Sequence, residues 1–405
     1  LVLALCLAGL SAGASAATST GAVADTALPT MTLVKGTVDP TKSTVVQSAD
    51  GTFTDPSKAL NVNGLLTMTV TQTSPKAVWT TNDFSVGAAA AFRNVSGAGT
   101  DTLIRVTGGT PSGIYGQVSA DNRLWLVNPN GIYVGPKGTV SASSLLMSAS
   151  DLDPGEIQGG YQGFMAGKPL RLTGAGFNDF SGGYIVVAAG GRVQADDSLV
   201  LVAPNYIHNQ GVIVRQTRDG SSRDSVGEAT MIVAGQTEVA IGDSGYLTLS
   251  LTGEETVNGN AQARLLFNEG TVRNDEGRVQ LIVAGSGNDT TVLSRAGLSP
   301  DGSALRNEGS VIAQGSKGAN SVLMQVMGPR GSLVQQGLVD VSALEGATSA
   351  KGGTIDLVAN TILLPSPNAD LANGVSVMRA DGPAGGGQIN LVAAPDTATP
   401  SITVG

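Results

Sequence analysis

The single histidine, His208, is the only side chain suited by its ordinary protonation to act as a base near neutrality, and it stands beside a polar corner that begins at Asn209. No serine or cysteine nucleophile pattern accompanies it. A lone histidine in a turn is far more often a surface residue, so His208 is expected to be solvated. Carboxylates deserve the next look, because acidic pairs on stacked strands cleave polysaccharides and aspartate clusters bind calcium. The closest pairs are Asp151 with Asp153 and Asp196 with Asp197. Both fall in Gly- or Ser-rich stretches where aspartate is a routine turn former, and the turn reading is preferred. Gly285-Ser286-Gly287-Asn288-Asp289 is similar to one calcium-binding nonapeptide, a site that needs tandem copies, and no tandem copy follows it. Gly385-Gly386-Gly387 precedes a strand pattern, and no Gly-Lys-Ser or Gly-Lys-Thr stands ready to cradle phosphate. The sequence therefore assigns no catalytic, metal or cofactor site, and the chain is read as a non-enzyme.

Charge and leader narrow the setting. The formal charge of −9 is scattered, with no basic stripe to follow a nucleic acid. Residues 1–10 are apolar, and residues 11–16 end in a small-x-small site at Ala14 and Ala16. This reads as a signal peptide cleaved after Ala16, with its start missing because no Met or basic region precedes it. Cys6 is the sole cysteine and lies inside that leader, so the mature chain forms no disulfide. A lipoprotein reading is disfavoured by Leu5, which stands before Cys6 where a small residue is required. No later segment is apolar enough for a membrane-spanning helix, and the product is expected to be exported and soluble.

The remaining composition calls for many short strands. Glycine is abundant at 56 residues and aromatics make up 4% of the chain, while Val, Ile, Leu, Thr, Ser and Asn fill the rest, a mixture that suits pleated surfaces and tight turns. Two themes recur from about residue 60 onward. The first is a glycine followed by an apolar run: Gly183-Tyr184-Ile185-Val186-Val187, Gly277-Arg278-Val279-Gln280-Leu281, Gly353-Thr354-Ile355-Asp356-Leu357 and Gly387-Gln388-Ile389-Asn390-Leu391. The second is a polar corner before a strand: Asn209-Gln210-Gly211, Asn268-Glu269-Gly270, Asn307-Glu308-Gly309 and Gln335-Gln336-Gly337. Repetition of this kind marks a solenoid, since each coil turns the same corners around the same core. The expected fold is all-β, a right-handed parallel β-helix. Residues 17–59 lack the period and are expected to form an N-terminal cap, and residues 246–405 to continue the coils. Trp79, Trp125, Tyr133, Tyr161 and Phe164 cluster in the first half and are read as core or cap.

The most specific stretch is Leu124-Trp125-Leu126-Val127-Asn128-Pro129-Asn130-Gly131-Ile132-Tyr133-Val134, a strand, a stiff turn and a strand. Pro129 fixes φ, Asn130 and Gly131 are suited to positive φ, and Asn128 can close the bend as an Asx turn. This resembles the secretion domain of two-partner-secretion (TPS) exoproteins, the haemagglutination-activity family that includes the filamentous haemagglutinins. Its hallmark Asn-Pro-Asn-Gly-Ile stands here as Asn128, Pro129, Asn130, Gly131 and Ile132. Other blocks follow in family order: Trp79 with Phe84, Arg105 with Gly108 and Gly109, then Pro111-Ser112-Gly113-Ile114-Tyr115-Gly116, and downstream Val202-Ala203-Pro204-Asn205 and Ile232-Val233-Ala234-Gly235. The resemblance covers about residues 28–245, so residues 60–245 complete the secretion domain after the cap.

What the resemblance implies is a route and a role. The chain would cross to the periplasm, be recognised by a dedicated outer-membrane barrel transporter through its periplasmic POTRA modules, and emerge as a secreted or cell-surface protein. Residues 128–132 would serve that recognition, and the exported product would act as an adhesin or haemagglutinin on an unidentified host or bacterial receptor. The alternatives are a β-helical polysaccharide lyase or hydrolase, or the stem of a haemolysin or contact-dependent toxin with its active end beyond Gly405.

Overall fold

The computed structural model describes residues 23–97, 99–174, 183–216, 227–241, 247–253, 256–257, 260–261, 263–285, 303–316, 320–328, 331–364, 378–393 and 401–404. The expected leader, Cys6 and the stretch Ser286 to Asp289 lie outside the described residues.

Three long sheets of thirteen, eleven and nine strands run the length of the molecule, and successive chain segments visit them in turn. One rung shows the pattern. Arg123–Val127 lies on the first face, Ile132–Val134 on the second and Thr139–Ala142 on the third, and Ser144–Ser148 returns to the first. Each strand pairs in parallel with its counterpart one coil on: Leu124 with Leu145, Ile132 with Ile185, Val140 with Val193. The molecule is a three-faced parallel β-helix.

Alternation inside each strand explains the core. On the third face the inward column is Val118, Val140, Val193, Ile213, Val272, Val311 and Val339, linked rung to rung and buried throughout. On the second it is Ile185, Ile207, Leu266, Leu305, Leu333 and Ile362. Branched side chains fit because a parallel stack sets like against like, and the same shape repeats in the same slot.

The corners are set by the second sequence theme. Asn209 donates through Nδ2 to Asn268 Oδ1 at 2.7 Å, Asn268 to Asn307 at 2.7 Å, and Asn307 to Gln335 Oε1 at 2.9 Å, all buried. The links span 59, 39 and 28 residues, so coils differ widely in length while their corners stay in line. The glycine two places on has no room for a side chain. A Cβ on Gly270 would lie 2.2 Å from Gly211 O, one on Gly309 2.0 Å from Gly270 O, and one on Gly337 1.9 Å from Gly309 O.

The first theme is split between faces. Arg278–Ala284, Thr354–Ala359 and Gln388–Ala393 share the first face, whereas Tyr184–Val187 belongs to the second. Entry through glycine into a buried strand is a need common to both faces, so the likeness of the four runs did not report which face each occupies.

At the N-terminal end the pairing turns antiparallel. Met31–Lys35 lies against Lys76–Thr81 and is followed outward by Gly51–Thr54 and Val45–Ser48. Leu60–Val62 folds back on Leu65–Thr71 through Asn63 and Gly64, at φ 53° and 85°, the paired positive values of a tight hairpin turn. Met31, Val38 and Val45 join the interior core.

A second layer, absent from the sequence expectations, covers the outside of the first face. Asp151–Leu152, Leu170–Thr173, Gln236–Ile241 and Leu247–Gly253 form a four-stranded antiparallel sheet, accompanied by short helices Pro154–Gln158 and Gln162–Ala166. Beneath it the outward column Val78, Leu103, Trp125, Leu146 and Val200 is apolar and buried. This is why runs such as Leu124-Trp125-Leu126-Val127 read as buried on both sides.

Gly270→Ala should destabilise the chain by about 2–4 kcal/mol, because the new methyl meets backbone that cannot move without displacing the adjacent coil. Gly97→Ala, where a Cβ meets nothing within 4 Å, should stay within about 0.5 kcal/mol. Urea unfolding midpoints of the two variants test the contrast.

Candidate functional site: the Asn128 corner

The motif residues form the corner between the first and second faces, in the rung described above. Asn128 is fully buried. Its Oδ1 accepts from the Asn130 backbone N–H at 3.0 Å, the expected Asx turn, and the Gly131 N–H donates to Asn128 O at 3.0 Å. Its Nδ2 reaches the preceding rung, donating to Thr110 O at 3.0 Å and Ser112 Oγ at 2.9 Å. Its backbone N–H reaches the following rung at Ser148 O, 2.9 Å away. Asn130 Nδ2 donates to Gly108 O at 2.6 Å, and Pro129 O accepts from the Gly183 N–H at 2.8 Å. One corner thus satisfies backbone groups of both neighbouring coils, which water cannot reach there.

Positive φ falls on Gly131 alone, at 116°, and Asn130 does not share it as expected. A Cβ at Gly131 would also meet the Tyr184 ring at 2.7 Å. Ile132 points into the core between Ser112 and Ile185, while Pro129 and Asn130 are half-buried.

The other expected positions do not converge on this corner, Gly108 excepted. Gly108 is held tightly, with a Cβ position 2.1 Å from Asn82 O, whereas Gly109 has open space. Trp79 lies in the interior core between Leu33 and Ile104, and Phe84 meets Phe92 edge-on at 5.4 Å. Arg105 forks onto Asp151, Nε to Oδ1 at 2.7 Å and Nη2 to Oδ2 at 2.6 Å, which holds the guanidinium more firmly protonated than usual. It ties the first face to the outer layer. Trp125 and Phe164 stack edge-on at 5.6 Å beneath that layer, with Tyr161 buried beside them, and Tyr133 is half-buried on the second face.

Asp151 is therefore a strand residue paired with an arginine rather than a turn former. Asp153 caps the helix Pro154–Gln158, accepting from the Gly155 N–H at 2.8 Å. Asp196 and Asp197 occupy a turn, their N–H groups donating to Ser143 O, and Asp197 Oδ2 accepts from Ser143 Oγ at 3.1 Å. One ion cluster escaped the sequence reading. Asp101, 1% exposed, sits between Lys76 at 3.6 Å and Arg123 at 2.5 Å, and Lys76 Nζ also donates to Phe164 O at 2.7 Å. Its signal was available only through register, since Lys76, Asp101 and Arg123 are counterparts on consecutive coils of the first face.

His208 is not the solvated residue expected. It is 2% exposed, stacked on Phe267 at 5.0 Å, and its Nε2 lies 2.5 Å from Glu269 Oε2. The cause is the corner ladder: the residue before Asn209 is drawn into an outward column between Val186 and Phe267. The hydrogen bond to His208 holds the Glu269 carboxyl below its ordinary value, against the opposing effect of burial.

The sequence matches the TPS secretion domain family over residues 37–331, well over half its length, and the chain belongs to that family. The match continues past residue 245 through the coils that carry Asn268 and Asn307. Among solved structures, the HMW1 secretion domain of Haemophilus influenzae is similar with a TM-score of 0.50 and 14% identity, covering 93% of this chain and 98% of that one. No curated protein matches. The structure is thus the TPS secretion domain of a two-partner-secretion exoprotein, carried on a parallel β-helix.

Asn128→Asp keeps the shape but replaces two buried donors with acceptors, and should cost roughly 2–4 kcal/mol. Asn130→Ala removes half-buried bonds only and should cost about 1 kcal/mol. Denaturant titrations of both variants check the ranking. For Glu269 the depressed folded value fixes the sign: its contribution is complete above about pH 4.5 and drains away as pH falls through the lower folded value. Glu269→Gln should lower stability at neutral pH and flatten the acid limb of the stability profile, measured as melting temperature against pH.

Proposed function

We propose that a cognate outer-membrane barrel transporter recognises this domain through its periplasmic POTRA modules, and that residues 128–132 are the segment whose loss blocks export. Residues 1–16 serve as the leader, 17–59 as the cap, 60–245 as the rest of the secretion domain, and 246–405 as further coils of the shaft. The exported product acts at the cell surface or after release, as an adhesin-like protein that presents surface instead of catalysing a reaction. The observation that carries this reading is the family match over residues 37–331.

Physical argument sharpens where recognition falls in time. In the finished coil Asn128 has no exposed surface, and its side chain is committed to Thr110, Ser112 and Asn130. Only Pro129 and Asn130 are part-exposed. A direct reading of Asn128 by the transporter therefore belongs to the extended chain, before this corner closes. The only cysteine of the sequence is Cys6, in the leader, so no covalent bridge opposes passage in that state. Coils that assemble outside can then grow one upon another, each using the last as its template.

Deletion of residues 128–131 should abolish appearance of the chain in culture supernatant while leaving periplasmic expression intact. Normal secretion of the deletion, by immunoblot of both fractions, would refute the assignment of this segment.

A further inference from the structure

The Asn128 corner contains a reactive pairing that the fold both requires and suppresses. Asn130 is followed directly by Gly131. In an asparagine before glycine the next backbone nitrogen reaches the side-chain amide with least hindrance, because glycine brings no side chain to obstruct the approach. Glycine cannot be exchanged here. Gly131 sits at φ 116°, and a Cβ on it would lie 2.7 Å from the Tyr184 ring. The Asn209, Asn268 and Asn307 corners avoid the pairing, since Gln210, Glu269 and Glu308 separate each asparagine from its glycine.

In the closed corner the groups that would react are bonded elsewhere. The Gly131 N–H donates to Asn128 O at 3.0 Å, and Asn130 Nδ2 donates to Gly108 O at 2.6 Å and to Asn128 Oδ1 at 3.0 Å. Gly131 is buried and Asn130 half-buried. Attack would need the nitrogen to leave Asn128 O and the amide to turn away from Gly108, which opens the contact with the preceding coil. In the extended chain none of these bonds exists, and atoms joined through so few rotatable bonds meet often.

We propose that Asn130 is a site of spontaneous covalent modification, open only while the chain is extended, and that modification there prevents the corner from closing. The Gly131 nitrogen attacks Asn130 Cγ. A new N–Cγ bond forms as the Cγ–Nδ2 bond breaks, and Nδ2 departs as ammonia with the Gly131 amide proton. Water then opens the succinimide at either carbonyl, leaving aspartate or isoaspartate at position 130. Neither product fits. Aspartate turns a carboxylate oxygen toward Gly108 O and Asn128 Oδ1, acceptor against acceptor where a donor stood. Isoaspartate adds a methylene to the backbone between Pro129 and Gly131, which displaces the glycine from its place beside Tyr184. Closure and modification therefore exclude each other. This inference is independent of what the transporter reads, because it concerns only how long the segment stays open.

Asn63 provides an internal control. It too precedes a glycine, but Asn63 and Gly64 are exposed at the tip of the hairpin between Leu60–Val62 and Leu65–Thr71. The full-length chain is incubated at mildly alkaline pH, folded in one sample and held in urea in the other, and both asparagines are followed by peptide mapping with mass spectrometry. Asn130 should convert in urea and at least about tenfold more slowly in the folded chain, where reaction waits on opening of the corner. The urea sample is then diluted, and unfolded material is removed with a protease. Isoaspartate at position 130 should be depleted from the protected fraction, while isoaspartate at position 63 should pass into it. Equal conversion of Asn130 in the two samples, no conversion in urea, or modified position 130 carried undiminished into the protected fraction would overturn the proposal. If dilution yields no protected material, the two conversion rates still decide.

Discussion

Each coil of this chain turns its corners directly against those of its neighbours, with backbones about 4.8 Å apart. Strands at that distance satisfy one another automatically. Corners do not, because the chain bends away from the ladder and leaves donors and acceptors without partners in a space that excludes water. Side-chain amides fill the gap: Asn209, Asn268, Asn307 and Gln335 form a continuous chain of bonds along one corner, and Asn128 links three coils at another. Glycine completes the arrangement where the neighbouring carbonyl leaves no space for a methyl, as at Gly270 and Gly309. A coil can grow from 28 to 59 residues between these points without disturbing the stack, since only the corner has to register.

That economy explains what could be read from the chain. The Asn-x-Gly corners and the glycine-led apolar runs were visible because corner and strand make narrow demands on residue type. Parallel stacking followed from their repetition, and the turn at Asn128 from Pro129 and the Asx geometry. The antiparallel layer was not visible, because Leu170–Thr173 and Leu247–Gly253 are ordinary strand sequences whose role depends on the outward column they cover. Register was equally silent. His208 looked like a surface residue until its column placed Phe267 under its ring, and Asp101 drew no notice in the sequence because only register brings Lys76 and Arg123 alongside it. In both, partners lie one coil away and many residues distant, beyond any local pattern. The likeness of Tyr184–Val187 to strands of another face has a related origin: glycine followed by apolar residues describes burial, which two faces share.

The three faces are not equivalent, and the difference bears on how the domain assembles. A purely sequential solenoid would complete each coil before the next, with every contact reaching back one rung. The second and third faces are consistent with that, since their inward columns pair coil to coil from Val118 to Val339 and from Ile185 to Ile362. The first face is different. Trp125, Leu103 and Val78 turn outward, and their cover arrives later in the chain, Phe164 meeting Trp125 and contributing the carbonyl that takes the Lys76 ammonium 88 residues away. Leu170–Thr173 must itself wait for Gln236–Ile241 to complete its sheet.

Until residue 241 is available, then, the early coils present an apolar outer column that only part of the layer can shield. Burial of side chains such as Leu and Val is worth about 1.5–3 kcal/mol each, so closing the layer should stabilise the first coils well after their own corners have formed. Growth by templating and locking by the layer are therefore separate steps, and the Arg105–Asp151 fork and the Lys76–Asp101–Arg123 cluster stand where the two meet. Being charge-assisted and largely shielded from water, these contacts demand one geometry, which suits them to fixing the layer in register over coils that the amide ladders have already aligned.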